Sequence, residues 1–430
     1  MIRRALREWD YLPISRTAED PGVTRDQADH LLAAARRTAL GGADGEGVLV
    51  DGGRRLRAQQ VVGVLVTADV TLEILPKIDG DAMTARRTLV HMLAAVHDFK
   101  IDAGPLTDVG WQSHDLLEIL IRLFCDKLAA VLRRGLPRAY LRREDDLPAL
   151  RGRLDVVRQC TVLAASPQRL ACRYEELNPD IALNRILKAA LVRLEGLARA
   201  QETRRRLNEL LFVYDGVTIL PRVALPWHAV SLDRTNVGWR EVLGFARLLL
   251  GDRFQTTSAG EERGFALLFE MNTLFEAFVA RALHGALAGS GASVTAQGPR
   301  GHALHDLAAD RPLFATRPDI VVSLAGRPVL ILDTKWKRLT GAIQDPRRGV
   351  GQADVYQMMA YAQVYGCREL MLVYPHHAGL PAPAGRLAAH GVVNLECSRL
   401  QLVTLDLAVP GSVREQLGAA VGGFDHQGVW

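Results

Sequence analysis

The chain has 430 residues, enough for two or three domains with cores of their own. With 48% hydrophobic and 23% charged residues, its composition is that of an ordinary globular protein, which excludes a disordered or fibrous chain. A formal charge of +5 permits a polyanionic partner without requiring one, since no dense Lys/Arg run forms a local patch. Cys125, Cys160, Cys172, Cys367 and Cys397 are odd in number and scattered, which indicates neither a disulfide framework nor a C-x-x-C zinc site. The charged start Met1-Ile2-Arg3-Arg4 has no apolar run behind it, and no long uncharged apolar stretch follows elsewhere. A cytoplasmic location and no membrane contact are therefore expected.

In chain order, Thr24 caps a predicted helix from Arg25 to about Thr38, and the Gly/Asp-rich stretch 41–47 is a loop. Strands are predicted near 48–50, 59–67 and 70–75, where Leu72 and Ile74 alternate with Glu73 as in a half-exposed sheet. Residues 1–110 form a small β-rich docking domain in this reading. Residues 111–255 read as helical. Asp115 caps a helix from Leu116 to Arg134, and Asn178-Pro179 opens another that runs to about Ala200. Arg204-Arg205-Arg206 is the densest basic cluster and reads as a solvated face. A small-residue stretch ending at Gly260 marks the boundary to a third domain, 256–430. Its first helix is predicted over Glu262–Leu283, and another spans Gly351–Tyr365 before the strand 369–374. The fold class is mixed α/β.

The chemistry concentrates between the two helices of that third domain. Two apolar β-branched runs, 320–324 and 328–332, flank a Gly-containing turn and predict a β-hairpin. Asp319 lies seven residues before Gly326 and Asp333 seven after it. A hairpin pivoting there opposes the two carboxylates on one face, and Lys335, two residues on, shares that face. Opposed like charges at the end of covered apolar strands repel and lose hydration. A hard divalent cation such as Mg²⁺ relieves this, because it takes one or two carboxylates and keeps waters for a phosphate substrate. Lys335 could then orient or deprotonate the attacking water, or stabilise developing charge. His302, His305 and Asp306 read as an ordinary loop segment, Asp354 as a first-turn acid, and Trp336 as core.

Pro318-Asp319 with Asp333-Thr334-Lys335 resembles the PD-(D/E)xK nuclease core, including its helix–strands–helix–strand order. Gln357 and Tyr361, one helical turn apart, are similar to the Gln-x-x-x-Tyr pattern of RecB-like nucleases, which lies beside the metal and the DNA backbone. The upstream acid of that pattern corresponds to Glu276 or to Glu270. More specifically, Gly63–Val66, Leu72–Ile78, Leu150–Asp155, Asn178–Lys188, Asn272–Glu276 and Asp354–Tyr361 resemble, in order, the signatures of the McrC family.

That family supplies the nuclease subunit of the modification-dependent McrBC restriction system. The resemblance implies a Mg²⁺-dependent DNA endonuclease subunit with Asp319, Asp333, Thr334 (through its backbone carbonyl) and Glu276 at the metal. Lys335, Gln357 and Tyr361 would complete the catalytic set. It implies a McrB-type AAA+ GTPase ring as partner, stimulated by the N-terminal domain, and double-stranded DNA whose modified cytosine the partner reads. Two other readings stay open: a non-catalytic adaptor of an AAA+ motor, and a free-standing RecB-like repair nuclease.

Overall fold

A computed structural model describes residues 2–15, 22–101, 114–234, 236–250, 264–340, 347, 349–393 and 398–422. The expected boundary at 251–260, the predicted helix start at Glu262, and Cys397 lie outside them. The chain divides into two compact units, one of residues 1–116 with 253–430 and the other of 117–252. The expected first and third domains thus fall in one unit. Among the described residues no helix is long and apolar enough to cross a membrane.

The first unit begins with β1 (Ile2–Arg7), β2 (Tyr11–Pro13), α1 (Arg25–Arg36), β3 (Leu49–Asp51), β4 (Arg55–Ala58), β5 (Val61–Val66), β6 (Val70–Leu75) and α2 (Ala82–Val96). Thr24 and Gln27 close a reciprocal capping box on α1, satisfying two amides the helix start leaves free. β6 is buried on both faces rather than half-exposed. Glu73 is accommodated because Arg86 of α2 grips both carboxylate oxygens at 2.7 Å and the Leu116 amide adds a third hydrogen bond.

The second unit comprises α3 (Leu116–Leu132, whose first residue belongs to the first unit), β7 (Ala139–Leu147), β8 (Arg153–Leu154), α4 (Val156–Thr161), β9 (Leu170–Asn178), α5 (Ala182–Glu195), α6 (Gln201–Val213) and α7 (Arg240–Leu250). Beside its helices this unit carries a three-stranded sheet of β7, β9 and β8, which the sequence reading does not place. Its long strands are charged on both faces, so no apolar alternation announces them. They are instead laced by cross-strand ion pairs such as Arg173 with Glu144 and Arg142 with Glu175. The Asn178 side chain accepts from the Asp180 amide in a turn, and α5 starts four residues beyond it. On α6, Arg205 and Arg206 pair with Glu209 and Asp126, in keeping with a solvated face.

The first unit resumes with β10 (Phe265–Glu270) and α8 (Met271–Ala286). The predicted helix over 262–283 is therefore a strand up to Glu270. The run Phe265-Ala266-Leu267-Leu268-Phe269 is apolar at every position, and it is buried by pairing with β5 in the sheet β1-β6-β5-β10. Gly63 of β5 permits this pairing, since its φ is +131° and a Cβ there would lie 1.9 Å from the Leu267 carbonyl oxygen. Glu270 then caps α8 by accepting from the Thr273 amide, which gives that acid a structural role.

After α8 come β11 (Ala292–Ala296), β12 (Gly301–Asp306), β13 (Arg311–Thr316), β14 (Ile320–Leu324), β15 (Arg327–Thr334), α9 (Gln352–Tyr365), β16 (Glu369–Pro375), β17 (Gly385–Gly391), β18 (Arg399–Leu405) and α10 (Val413–Gly422). β12 and β13 form a separate ribbon, and the others build a six-stranded mixed sheet ordered β11-β14-β15-β16-β18-β17. Val321, Ile331, Leu370 and Leu372 pack with Met358, Tyr361 and Ala362 of α9. The alternate residues Ile320, Val322, Leu330 and Leu332 are equally buried, and α8 packs on β15.

Candidate active site

The hairpin β14–β15 closes through Ala325 and Gly326, both at positive φ (49° and 79°), between the paired residues Leu324 and Arg327. Two successive positive φ values make a type I′ turn, whose twist matches the strands. Beyond the turn the register shifts. Ser323 pairs with Pro328 but Val322 pairs with Leu330, which leaves Val329 as an extra residue. Pairing then holds to Ile320–Leu332, so Asp319 and Asp333 stand opposite each other one step further on, on the α9 face. On its other side Asp333 pairs with Leu372 of β16.

Side chains link these residues into a ring. Thr334 donates to Asp319 Oδ2 through its amide (2.7 Å) and its hydroxyl (3.0 Å). Lys335 Nζ approaches Asp333 Oδ2 to 2.5 Å and donates to Gln357 Oε1 at 3.2 Å. Gln357 Nε2 donates to the Tyr361 hydroxyl at 2.7 Å, which in turn donates to the Arg317 carbonyl at 3.1 Å. The ring thus returns to the residue that precedes Pro318-Asp319. Its i, i+4 step on α9 is what lets one helix face reach both strands.

The electrostatics are those of crowded acids. Asp333 is fully buried, and desolvation with the nearby Asp319 charge pushes its pKa well above the carboxylate range despite Lys335. Burial works against the Lys335 charge, but Asp333 outweighs it and holds the ammonium pKa above its ordinary value. Desolvation, followed by the Asp319 charge, raises Glu276 to about 7. Burial raises Tyr361 to about 12, so its phenol stays neutral and able to donate.

The structure gathers Asp319, Asp333, Thr334, Lys335, Gln357 and Tyr361, and leaves Glu276 at the margin. That carboxylate is bonded to the Gln297 side chain, and no group of three His, Cys, Asp or Glu side chains close enough to hold a metal occurs among the described residues. His302 and His305 lie on the exposed ribbon, where His305 faces Asp310. Asp354, in the first turn of α9, pairs with Lys337.

A hard divalent cation suits this donor set. Neither oxygen of the buried Asp333 carboxylate accepts a well-directed hydrogen bond from the described residues, and Oδ1 also lacks the ammonium contact. Asp319 faces it, with one oxygen already held by Thr334. Two carboxylates and water match Mg²⁺ better than a softer metal, which would call for His or Cys.

Lys335 also borders a cavity of about 570 Å³ whose wall includes Glu8, Trp9, Gln60, Lys77, Asn272, Trp336, Lys337 and Arg338. Trp336 is core, set edge-on against Phe275 at 5.2 Å, with its indole N–H donating to Glu8 Oε1 at 2.6 Å. Sequence reasoning missed Glu8, Gln60 and Gln297. Glu8 lies 328 residues from Trp336, and no periodicity or spacing connects positions so far apart.

Fold and site together define a mixed α/β protein carrying two opposed carboxylates and a lysine at one end of its central sheet. Residues 56–375 match the family model described as McrBC 5-methylcytosine restriction system component. The chain belongs to that family. No curated protein matches it. Among solved structures, it is similar to a chain of the tetradecameric assembly of Thermococcus gammatolerans McrB AAA+ hexamers with bound McrC. The identity there is 19% and the TM-score 0.75, with 98% of this chain and 100% of the other covered. A chain of the Thermococcus gammatolerans McrBC complex matches at 24% identity and TM-score 0.55, with 67% and 88% covered.

Proposed function

We propose that this chain is the Mg²⁺-dependent DNA endonuclease subunit of a McrBC-type modification-dependent restriction system. The observation that carries the reading is the opposed pair Asp319–Asp333 beside Lys335, with a buried Asp333 oxygen left without a partner. The PD-(D/E)xK resemblance and the family membership point the same way.

Asp319 and Asp333 would hold Mg²⁺, with the Thr334 carbonyl and Glu276 as further candidates. When bound, the ion supplies Lewis-acid stabilisation of charge on the phosphate and a more acidic water. The chain's own residues do the rest. Lys335, kept protonated by Asp333, positions the attacking water by hydrogen bonding and offsets negative charge growing on the phosphate. Gln357 holds that ammonium in place, and Tyr361 fixes Gln357 against the backbone before Asp319. Such a site recognises phosphate rather than base, so selection of modified DNA falls to a partner.

The Thermococcus gammatolerans assembly contains McrB AAA+ hexamers with bound McrC. By the same arrangement, this chain would join a McrB-type AAA+ GTPase ring, stimulate its hydrolysis of GTP, and cut double-stranded DNA whose modified cytosine the ring reads. The test is cleavage of methylated and unmethylated plasmid with Mg²⁺ and GTP, with and without the AAA+ protein. Cutting confined to the complete mixture, and lost in Asp333→Ala while GTPase stimulation persists, supports the reading. Cutting by the chain alone, or stimulation without cutting on any modified substrate, overturns it.

A further inference from the structure

Lys335 stands outside the strand that carries Asp333. Ladder pairing of β15 ends at Thr334, and beyond it the Lys335 amide donates to the Val373 carbonyl at 2.9 Å. Past Lys335 the chain is irregular, with the Lys337 amide bonded back to the Lys335 carbonyl. Something other than the sheet must therefore fix the residue on which the ammonium depends.

The fixed point is Trp336. Its indole N–H donates to Glu8 at 2.6 Å, its carbonyl accepts from Gln60 Nε2 at 3.3 Å, and its ring lies against Phe275. Glu8 follows directly on β1 and Gln60 directly precedes β5, so both come from the N-terminal sheet. Glu8 is fully buried, and the same Oε1 also accepts the Lys77 amide at 2.9 Å. A buried carboxylate is retained at a cost unless its bonds specify something. These bonds specify where the Lys335–Trp336 peptide sits.

We infer that Glu8, with Gln60, is a positioning residue for the active site. It acts through Trp336 to set the placement of Lys335, so the N-terminal sheet is a structural part of the catalytic centre. The inference builds on the nuclease reading, but its geometry can be tested apart from it.

The experiment compares Glu8→Leu, Glu8→Gln and Trp336→Phe in the full chain, with two readouts. The first is reductive methylation of lysines followed by mass spectrometry, with Lys127 of the second unit as internal reference. The second is steady-state cleavage in the complete mixture with the AAA+ protein. Glu8→Leu should speed Lys335 methylation several-fold relative to Lys127. It should lower kcat by about 10- to 100-fold, the scale set by an ångström of misplacement, with little change in KM. Glu8→Gln keeps an acceptor oxygen and should restore most of both properties. Trp336→Phe removes the indole N–H together with the five-membered ring that bears it while keeping an aromatic ring in place of the indole, and should shift both readouts in the same direction. It carries the test should Glu8→Leu fail to fold. Wild-type Lys335 reactivity in folded Glu8→Leu or Trp336→Phe, or a Glu8→Gln variant as impaired as Glu8→Leu, overturns the inference. Absence of cleavage by the wild-type mixture counts against the nuclease reading alone, because the methylation comparison still decides the placement of Lys335.

Discussion

Asp319 faces Asp333 across the hairpin because Val329 is bulged out of the strand between them and the turn. The turn alone, Ala325-Gly326, sets a register in which Asp319 would meet Leu332, and the bulge moves it by one residue. Since side chains alternate between faces, that single step decides whether Asp333 joins Asp319 or points to the other face of the sheet.

Inserting one alanine after Val329, which a single-residue bulge cannot absorb, would return Asp319 to Leu332, and is therefore expected to abolish cleavage and to destabilise the first unit by about 3 kcal/mol or more, the usual cost of an uncompensated buried charge. Denaturant unfolding alongside the cleavage assay checks both. An insertion variant with wild-type activity would show that the bulge does not set the register.

Asp333→Asn should separate function from stability. The folded-state pKa of Asp333 is raised, so its ionised form is disfavoured in the native protein relative to the unfolded chain. The stability associated with the protonated form is present below the unfolded pKa and lost as pH rises through the folded value. At pH 8 without metal the asparagine variant should thus be more stable than the parent by roughly 1–3 kcal/mol, although it cuts no DNA. The gain should fade on acidification, and thermal melts at pH 8 and pH 4 measure it.

Lys335→Ala is expected to keep divalent-ion binding at pH 8 and to lose turnover by roughly 10²–10³, the range for removing one donor that stabilises charge developing in the transition state. Calorimetric titration with Mg²⁺ that shows no binding would contradict the assigned role. Gln357→Ala and Tyr361→Phe should each cost about tenfold, and the double variant scarcely more than the worse single one, because both act in one hydrogen-bonded chain.

Much of this centre is legible in the sequence. The paired carboxylates can be placed opposite each other by counting equal steps from Gly326, which works because the Val329 bulge offsets the two-residue turn. Gln357 and Tyr361 can be placed together because helix neighbours recur every four residues. The strand Phe265–Glu270 reads wrongly as helix, since a run apolar at every position carries no periodicity to distinguish the two. The nine-residue strands of the second unit escape sequence reasoning because their faces are charged and pair with each other instead of a core. Glu8 leaves no trace, because its role exists only once the first strand lies against the end of the fifteenth.

Glu8 should also imprint itself on stability. Burial raises its pKa to about 7 against the bonds from Lys77 and Trp336. Between its unfolded value near 4.5 and about 7 the native state binds the extra proton, so stability is full below that window and falls as pH rises through it. Glu8→Gln should flatten this part of the curve and exceed the parent above pH 7 by up to about 3 kcal/mol. Chemical unfolding at pH 5 and pH 8 checks the prediction, which fails if the two proteins lose stability in parallel.

The pairing of β10 with β5 bears on how the polypeptide is made. As the chain leaves the ribosome, Val61-Val62-Gly63-Val64-Leu65-Val66 emerges some two hundred residues before Phe265–Glu270, its neighbour in the sheet. Throughout that interval an apolar strand with unsatisfied backbone groups has an open side, the geometry that invites pairing between nascent chains. The second unit, which lies wholly within the interval, can fold while the first waits. Synthesis of this protein should accordingly depend on chaperone supply up to residue 270 and be released from it soon after.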